Sequence, residues 1–135
     1  MTDLETSGSV PAPAPVVPEV SNIEEVSVAG IVERVRLALE QGWRLVTLTC
    51  MDRGEQFEIL YHFDDNLTLH NIRVYVGRNE ELPSVSGVCL ASFLVENEIK
   101  ELFGVKITNI AIDYADRLYL VDEGDVTPMA KVIGA

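Results

Sequence analysis

The chain of 135 residues is long enough for one domain with a hydrophobic core. It carries 22 acidic against 10 basic side chains, and the formal net charge of -12 disfavours binding to nucleic acid or to anionic lipid. Because no apolar run approaches the roughly twenty residues that span a bilayer, we expect any membrane association to pass through partner proteins.

The N-terminal segment, 1–21, differs in composition from the rest of the chain. It holds four of the six prolines, with serine, threonine, alanine and only acidic charges. This composition predicts a disordered, extended tail that buries little surface. The segment shows no basic stretch followed by an apolar one, and the two cysteines, Cys50 and Cys89, are far apart. These features predict a reducing, cytoplasmic setting.

The first predicted elements are one helix and three strands. Ile31, Val35 and Leu39 recur at helical spacing, and Gly42 follows as a stop signal, which predicts an amphipathic helix. Three runs rich in β-branched, aromatic and aliphatic residues come next, separated by turn residues at 52–54 and 64–66. Such runs predict antiparallel strands joined by tight turns. The predicted strands are 43–49, 56–63 and 67–77.

A second helix is predicted from Ser86 or Ala91 to Phe103, with Gly104 ending it in the left-handed conformation. Two short strands are predicted after it, at 105–112 and 118–121, and 122–135 is predicted to be an irregular tail. The fold class predicted for 22–121 is therefore α+β: a two-layer domain in which a mainly antiparallel sheet packs against two helices.

The segment 83–105 carries a recognisable motif. Pro83-Ser84-Val85 precedes a helix with a Glu-x-Glu pair, and an acidic residue followed by Leu-Phe-Gly and an aliphatic residue ends it. With the two strands before it, this motif resembles the C-type, or thirty-kilodalton, subunit family of respiratory NADH dehydrogenases over about 45–105. The resemblance implies a subunit with no catalytic residue, cofactor or metal of its own. It implies that the motif residues form a partner interface: Glu96, Glu98, Glu101, Leu102, Phe103, Gly104 and Val105.

Three departures from the family pattern narrow the interpretation. Asn97 stands where the family has an arginine, Leu94 stands where it has a tryptophan, and 107–124 replaces its Gly-His-Pro and arginine-rich tail. With this simplified tail the chain is most similar to the D-type subunit of Ech-type, energy-converting membrane-bound [NiFe] hydrogenases. That resemblance implies docking on the hydrogenase large (NiFe) and small (iron–sulfur) subunits, on the cytoplasmic side of the membrane. The alternatives are the C-type subunit of a NADH dehydrogenase-like complex and an independent acidic protein-interaction domain.

Other residues are weaker candidates for chemistry. His62 and His70 are predicted to share a sheet face and could share a metal ion, but nearby residues on that face offer no third ligand, so structural roles are favoured. Cys50 and Cys89 cannot hold an iron–sulfur cluster alone, and their apolar surroundings favour buried thiols. No glycine-rich phosphate loop is present, so we predict no cofactor.

Glu96 and Glu98 are candidates for an acid and base pair. Two positions apart on a helix, they point about 200° away from each other, so they cannot share one proton. We expect Glu96 to form a surface pair with Lys100, one turn later. We expect Glu98 to be partly buried on the apolar side with Leu94, and to need a cation or a backbone donor. Structural or interfacial roles are favoured, and a separate, metal-assisted enzyme is the weakest alternative.

Overall fold

A computed structural model describes residues 22–119 and 126–131. The predicted tails, 1–21 and 122–135, lie outside the described residues except for 126–131. A short 3₁₀ turn precedes each helix, at Val28–Gly30 and Leu90–Ser92. The helices and strands are β1 Ile23–Glu25, α1 Ile31–Glu40, β2 Arg44–Asp52, β3 Gln56–Asp65, β4 Thr68–Gly77, β5 Glu81–Pro83, α2 Phe93–Phe103 and β6 Lys106–Thr108.

The main sheet has four strands in the order β1-β4-β3-β2. β2, β3 and β4 pair antiparallel, whereas β1 joins the edge of β4 in parallel. β5 and β6 form a second, two-stranded parallel ladder. The predicted α+β class with a mainly antiparallel sheet is confirmed. The sequence did not predict β1 and β5, because each has three residues and pairs with a strand distant in the chain.

The core lies between one face of the main sheet and the two helices. Alternate residues of β3 enter it, as the period of a strand requires. Helix α1 contributes Ile31, Val35 and Ala38, and helix α2 contributes Ile99. The residues that β3 contributes are Phe57, Ile59, Tyr61 and Phe63. No helix within 22–119 and 126–131 is long and apolar enough to cross a membrane.

Two helix ends match the sequence. Gly42, predicted to stop α1, has a φ of +90°, and Gly104, predicted to end α2, has a φ of +81° in the left-handed region. A β carbon at position 104 would also lie 2.8 Å from Thr127 Cγ2, so two constraints favour glycine there. Helix α2 begins at Phe93, later than the predicted Ser86 or Ala91, because the 3₁₀ turn takes up the residues just before it.

The turn between β3 and β4 corrects one prediction. Asp65 pairs with Thr68, so the turn consists of Asn66 and Leu67, with φ values of 48° and 72°, and not of 64–66. Positive φ at both central residues is the geometry of a two-residue hairpin turn. The pairing of β3 with β4 is therefore shifted from the predicted pairing by an odd number of residues. An odd shift moves the side chains of one strand to the other face of the sheet.

The predicted strands after α2 are corrected as well. Only Lys106–Thr108 is a strand, and 109–119 contains no strand. Leu118 and Tyr119, predicted to begin a strand, form a bend, and 120–121 lie outside the described residues. Asn109 has a φ of 61°, which takes the chain out of the extended conformation. Side chains of α2 bond to backbone groups beyond it, so this segment needs no ladder partner.

The last described segment, 126–131, packs over the end of α2. Met129 N donates to Leu102 O at 2.8 Å, and Lys131 N donates to Asp52 Oδ2 at 2.5 Å. Both carboxylate oxygens of Asp52 also accept from Arg78 Nη2, at 2.8 and 2.6 Å. A partly buried ion pair at the end of β2 thus anchors this segment.

Candidate functional site

Glu96, in the first turn of α2, is fully buried beneath the loop that joins β5 to the helix. Its Oε1 accepts from Ser84 Oγ at 2.7 Å and Ser92 Oγ at 2.8 Å, and its Oε2 accepts from Val85 N at 3.0 Å. Burial raises the pKa of the Glu96 carboxyl, although these donors oppose the shift. The carboxyl group therefore organises the loop.

The predicted surface pair of Glu96 with Lys100 is wrong. Lys100 Nζ lies 3.0 and 3.1 Å from the two oxygens of Asp113, in the segment after β6. Helical spacing indicates only the neighbour one turn away. Two of the donors that Glu96 uses, Ser84 Oγ and Val85 N, come from a loop that helical spacing could not identify, whereas Ser92 lies one turn before Glu96.

A second link joins the same loop to the segment after β6. Ser84 Oγ and Ser86 Oγ are 2.7 Å apart, and Ser86 Oγ accepts from Ala111 N at 2.7 Å. Ser84 and Ser86 are both buried. The polar network that begins at Glu96 therefore extends through two serines to a chain segment of irregular structure.

Asn97 and Glu101 bind the rest of that segment. Asn97 Nδ2 donates to Ile112 O at 2.7 Å, and Asn97 Oδ1 accepts from Tyr114 N at 2.9 Å. The Glu101 carboxylate accepts from Tyr119 N at 3.0 and 2.9 Å. Asn97 and Glu101 are both buried. Side chains of one helix thus hold backbone groups that would otherwise form strand hydrogen bonds.

The predicted interface residues divide into two groups. Glu96, Glu101 and Val105 are buried, so in this conformation they cannot touch a partner directly. Phe103 packs edge-on against Phe57, with ring centroids 6.5 Å apart. The half-buried members are Glu98, Leu102, Phe103 and Gly104.

The side of α2 that was expected to be apolar and buried faces outward. Leu94 is 46% exposed, against the expectation that it is buried. Glu98, one turn later, is half-buried, as expected. Leu94 was expected on the buried side because apolar residues usually turn inward. In this helix, Glu96, Asn97 and Glu101 occupy buried positions instead, because donors and acceptors of the loops satisfy them.

Several exposed apolar residues lie on α2, just before it and on the segment that its side chains hold, and we call them the α2 surface. Its members are 40% to 62% exposed and lie on the segments that Glu96, Asn97 and Glu101 hold. Aromatic residues are enriched at the centres of protein–protein interfaces, and two of the five members are tyrosines. The α2 surface consists of Leu90, Leu94, Ile112, Tyr114 and Tyr119.

The chain matches one protein family over most of its length. Residues 16–133 match the model of the family described as respiratory-chain NADH dehydrogenase, 30 Kd subunit. The chain belongs to this family. The C-type subunit of the NADH-quinone oxidoreductase of Jannaschia sp. (strain CCS1) is 36% identical over 72 residues, which are 50% of this chain and 35% of that protein. The matched region of this 30 Kd family member thus spans about a third of that relative's length.

A solved structure supports the fold of this 30 Kd family member. A chain in the structure of the membrane-bound sulfane sulfur reductase, an archaeal respiratory membrane complex, superposes with a TM-score of 0.65. The match has 17% sequence identity and covers 75% of this chain and 63% of the other. At this identity the likeness extends to the fold.

The two histidines of this family member lie on opposite sheet faces, so the prediction that they share a face is wrong. His62 pairs with Asn71, whereas His70 pairs with Phe63 on the core side. His62 Nε2 lies 2.7 Å from Thr49 Oγ1, and His70 stacks on Trp43 with centroids 4.1 Å apart. Each ring has its own structural contacts. Within 22–119 and 126–131, no three metal-binding side chains converge.

The cysteines are free thiols held in partly buried positions. Burial raises the pKa of Cys50 to about 12, and the nearby Asp52 charge adds to the shift. Burial also raises the pKa of Cys89. Because the thiolate is the reactive form, both side chains are poor nucleophiles at neutral pH.

Proposed function

We propose that this chain is a non-catalytic structural subunit of a membrane-bound respiratory oxidoreductase complex. The single observation that carries the proposal is that three polar side chains of α2 are buried and bind the neighbouring loops. Glu96, Asn97 and Glu101 place their polar groups inside the chain, where they fix the loops that present the α2 surface. The family match over 16–133 supports the same conclusion.

The helix α2 and the segment after it form the docking surface. Interface energy concentrates in a few apolar or aromatic anchors that fill pockets on the partner. Leu94, Tyr114 and Tyr119 are such anchors, and the buried network keeps them in place before binding, which reduces the entropy lost on docking. Glu98 lies at the edge of this surface, where a basic group of the partner would pair with it.

The proposed complex is an energy-converting [NiFe] hydrogenase of the Ech type. This chain would dock on the hydrogenase large and small subunits, peripheral to the membrane on its cytoplasmic side. The short segment 107–124 and the residues Leu94 and Asn97, which depart from the NADH dehydrogenase pattern, support this choice. Electrons would pass from reduced ferredoxin to protons through clusters in other subunits, and this chain would contribute no redox centre.

The second candidate is the C-type subunit of a NADH dehydrogenase-like complex. The relative at 36% identity, which belongs to a NADH-quinone oxidoreductase, supports this candidate. The two proposals share the docking role and differ in the partners. A hydrogenase large subunit with nickel would identify the first, whereas subunits that oxidise NADH would identify the second.

Affinity purification from detergent-solubilised membranes tests the function. The full chain, tagged and produced in its own cells, should bring down oxidoreductase subunits, identified by mass spectrometry and by nickel and iron content. Purification of the chain alone would contradict the proposal and favour an independent acidic interaction domain.

Two matched variants test the docking surface. Leu94→Glu places a charge on the α2 surface, whereas Leu37→Glu places the same charge on α1, where Leu37 is 41% exposed. Both chains should fold, because both positions are exposed and helical. Only Leu94→Glu should lose the partners. Equal recovery of partners by both variants would move the docking surface away from α2.

A further inference from the structure

The turn between β3 and β4 carries a residue that its geometry disfavours. Leu67 has a φ of 72°, and its neighbour Asn66 has a φ of 48°. Asparagine tolerates this left-handed conformation, but at the second central position glycine is strongly preferred and a bulky side chain is strained. Leu67 is also 94% exposed. Its side chain therefore combines a strained backbone with an apolar group in water.

The hairpin itself does not use this side chain. β3 and β4 pair without interruption from Gln56 and Gly77 to Asp65 and Thr68. Leu67 N donates to Asp64 Oδ1 at 2.9 Å, and this bond requires only a backbone amide. Glycine at position 67 would keep every contact of the turn and relieve its strain. Strain of this kind is characteristic of functional positions.

Other exposed groups lie at the same end of the sheet. Val46, the extra residue in a bulge of β2, is 52% exposed, and Leu69 on β4 is 51% exposed. The Asp65 side chain is 46% exposed and lies 3.8 Å from His70 Nε2. We call the group of Val46, Asp65, Leu67 and Leu69 the hairpin tip. Leu67 is its apolar apex, Asp65 lies on the sheet face that carries Phe63 and His70, and Leu69 lies on the opposite face.

The hairpin tip is separate from the C-terminal end of α2. Phe57 and Asp65 lie toward opposite ends of β3, and Phe57 packs against Phe103 of the helix. A strand of ten residues spans about 30 Å. The hairpin tip and the contact of Phe57 with Phe103 therefore lie toward opposite ends of the sheet.

We propose that the hairpin tip is a second docking point, at which Leu67 enters an apolar socket edged by a lysine or arginine on another protein subunit of the complex. This inference rests on the proposed function. Charge favours a basic partner: this chain has 22 acidic against 10 basic side chains, so a second copy would bring net like charge to the hairpin tip, where Arg44 is already paired with Asp64. An anionic lipid surface would do the same.

Leu67→Gly separates an effect on docking from an effect on folding, because the melting temperature should rise while the recovery of partner subunits falls. The substitution should raise the melting temperature of the purified chain by roughly 4 °C, since it relieves the strained turn. It should lower the amount of copurified subunits roughly fivefold or more, since it removes an anchor. Leu37→Ala, which shortens an exposed leucine on α1, is the control and should change recovery little. A higher melting temperature with unchanged recovery would overturn the proposal.

Photo-crosslinking identifies what the hairpin tip contacts. A photoreactive amino acid at position 67 of the full chain, activated in solubilised complex, should form an adduct with another subunit of the complex. An adduct with a second copy of this chain or with lipid, or no adduct, would overturn the proposal. Asp65→Asn should weaken the salt dependence with which partner subunits are recovered. An unchanged salt dependence would contradict a lysine or arginine at the edge of the socket.

The two proposals fail differently. If Leu94→Glu loses the partners while Leu67→Gly keeps them, the second docking point is wrong and the proposed function stands. If the unsubstituted chain recovers no oxidoreductase subunit, the proposed function is wrong, and the second docking point fails with it.

Discussion

Asn97 holds Tyr114 by its backbone: the side-chain Oδ1 accepts from Tyr114 N at 2.9 Å, while Nδ2 donates to Ile112 O at 2.7 Å. One amide side chain thus supplies both a donor and an acceptor to a segment without a strand partner. The position of the exposed Tyr114 and Ile112 side chains therefore depends on Asn97.

Replacing Asn97 with Ala should destabilise the chain by about 2 kcal/mol or more, because a partly buried carbonyl and a partly buried amide lose their partners. Urea unfolding followed by circular dichroism measures the change. Asn79, which is exposed, is the matched control, and Asn79→Ala should change the free energy of unfolding by less than about 0.5 kcal/mol. Similar losses for both variants would contradict the structural role of Asn97.

Replacing Glu96 with Gln should destabilise the chain by about 1–3 kcal/mol, because the amide group cannot accept all the bonds that the carboxyl group accepts. Burial raises the pKa of Glu96 in the folded chain, so the folded chain keeps this proton to higher pH than the unfolded chain. The free energy of folding that this proton contributes is therefore fully present below the pKa of Glu96 in the unfolded chain. It is lost as pH rises through the pKa of Glu96 in the folded chain.

The parent chain and Glu96→Gln together test the direction in which this stability changes with pH. Gln does not titrate, so the stability advantage of the parent chain over Glu96→Gln should be largest at acid pH and shrink as pH rises. Unfolding curves at several pH values measure it. Glu98→Gln, at the half-buried neighbour, is the control and should change the free energy of unfolding much less than Glu96→Gln. An advantage that grows with pH would contradict the raised pKa.

Replacing Gly104 with Ala should cost about 1–2 kcal/mol from the left-handed backbone alone, and more from the close approach to Thr127. The second contribution can be separated. In a Thr127→Ala background the Cγ2 atom is absent, so Gly104→Ala should cost less there than in the parent chain. A double-mutant cycle of unfolding free energies measures the coupling. Additive effects would show that 126–131 does not pack on Gly104 in solution.

Replacing Asp52 with Asn should loosen the segment 126–131. Burial opposes ionisation of Asp52, but hydrogen bonds from Lys131 and Gly54 and the Arg78 guanidinium outweigh it and lower the pKa. Breaking this pair should cost about 2 kcal/mol, less than a fully buried pair, because Arg78 is partly exposed. Hydrogen exchange at the Lys131 amide should become faster.

The pH dependence of that exchange has the opposite sign to that of Glu96. Because the folded pKa of Asp52 is lowered, its stabilisation is present above the unfolded pKa and is lost as pH falls through the folded pKa. Opening of the segment should increase on acidification in the parent chain and stay constant in Asp52→Asn. Asp113→Asn, at an exposed pair with Lys100, should leave the Lys131 amide unchanged.

Local signals account for the parts of the fold that the sequence predicted. The helices α1 and α2 and the three long strands follow from periodicity and from turn residues, and the glycines at 42 and 104 mark both helix ends. The hairpin register was missed because Leu67 carries no local signal for a left-handed turn. β1 and β5 were missed because their pairing partners are distant in the chain.

The sequence predicted where the motif of the candidate site lies, but it did not predict the hydrogen bonds that the motif residues form. The resemblance at 83–105 identified the family, and the helix with its two glutamates lies where it was expected. The burial of Glu96 could not be derived, because Ser84 and Val85 donate to it from a loop whose path periodicity does not encode. Asn97 stood out only as a departure from the family pattern, and its two backbone partners lie fifteen and seventeen residues further along the chain.

The parallel pairing of β1 with β4 has a practical result for the design of fusion proteins. Asn22 O accepts from Asn71 N at 2.9 Å, and Asn22 Nδ2 donates to Leu69 O at 3.2 Å. The backbone therefore enters the described domain at the same end of the sheet as Leu67. A fluorescent protein joined directly ahead of Asn22 would stand beside the β3–β4 turn and obstruct it sterically. Reporters for this chain are better attached through a long linker.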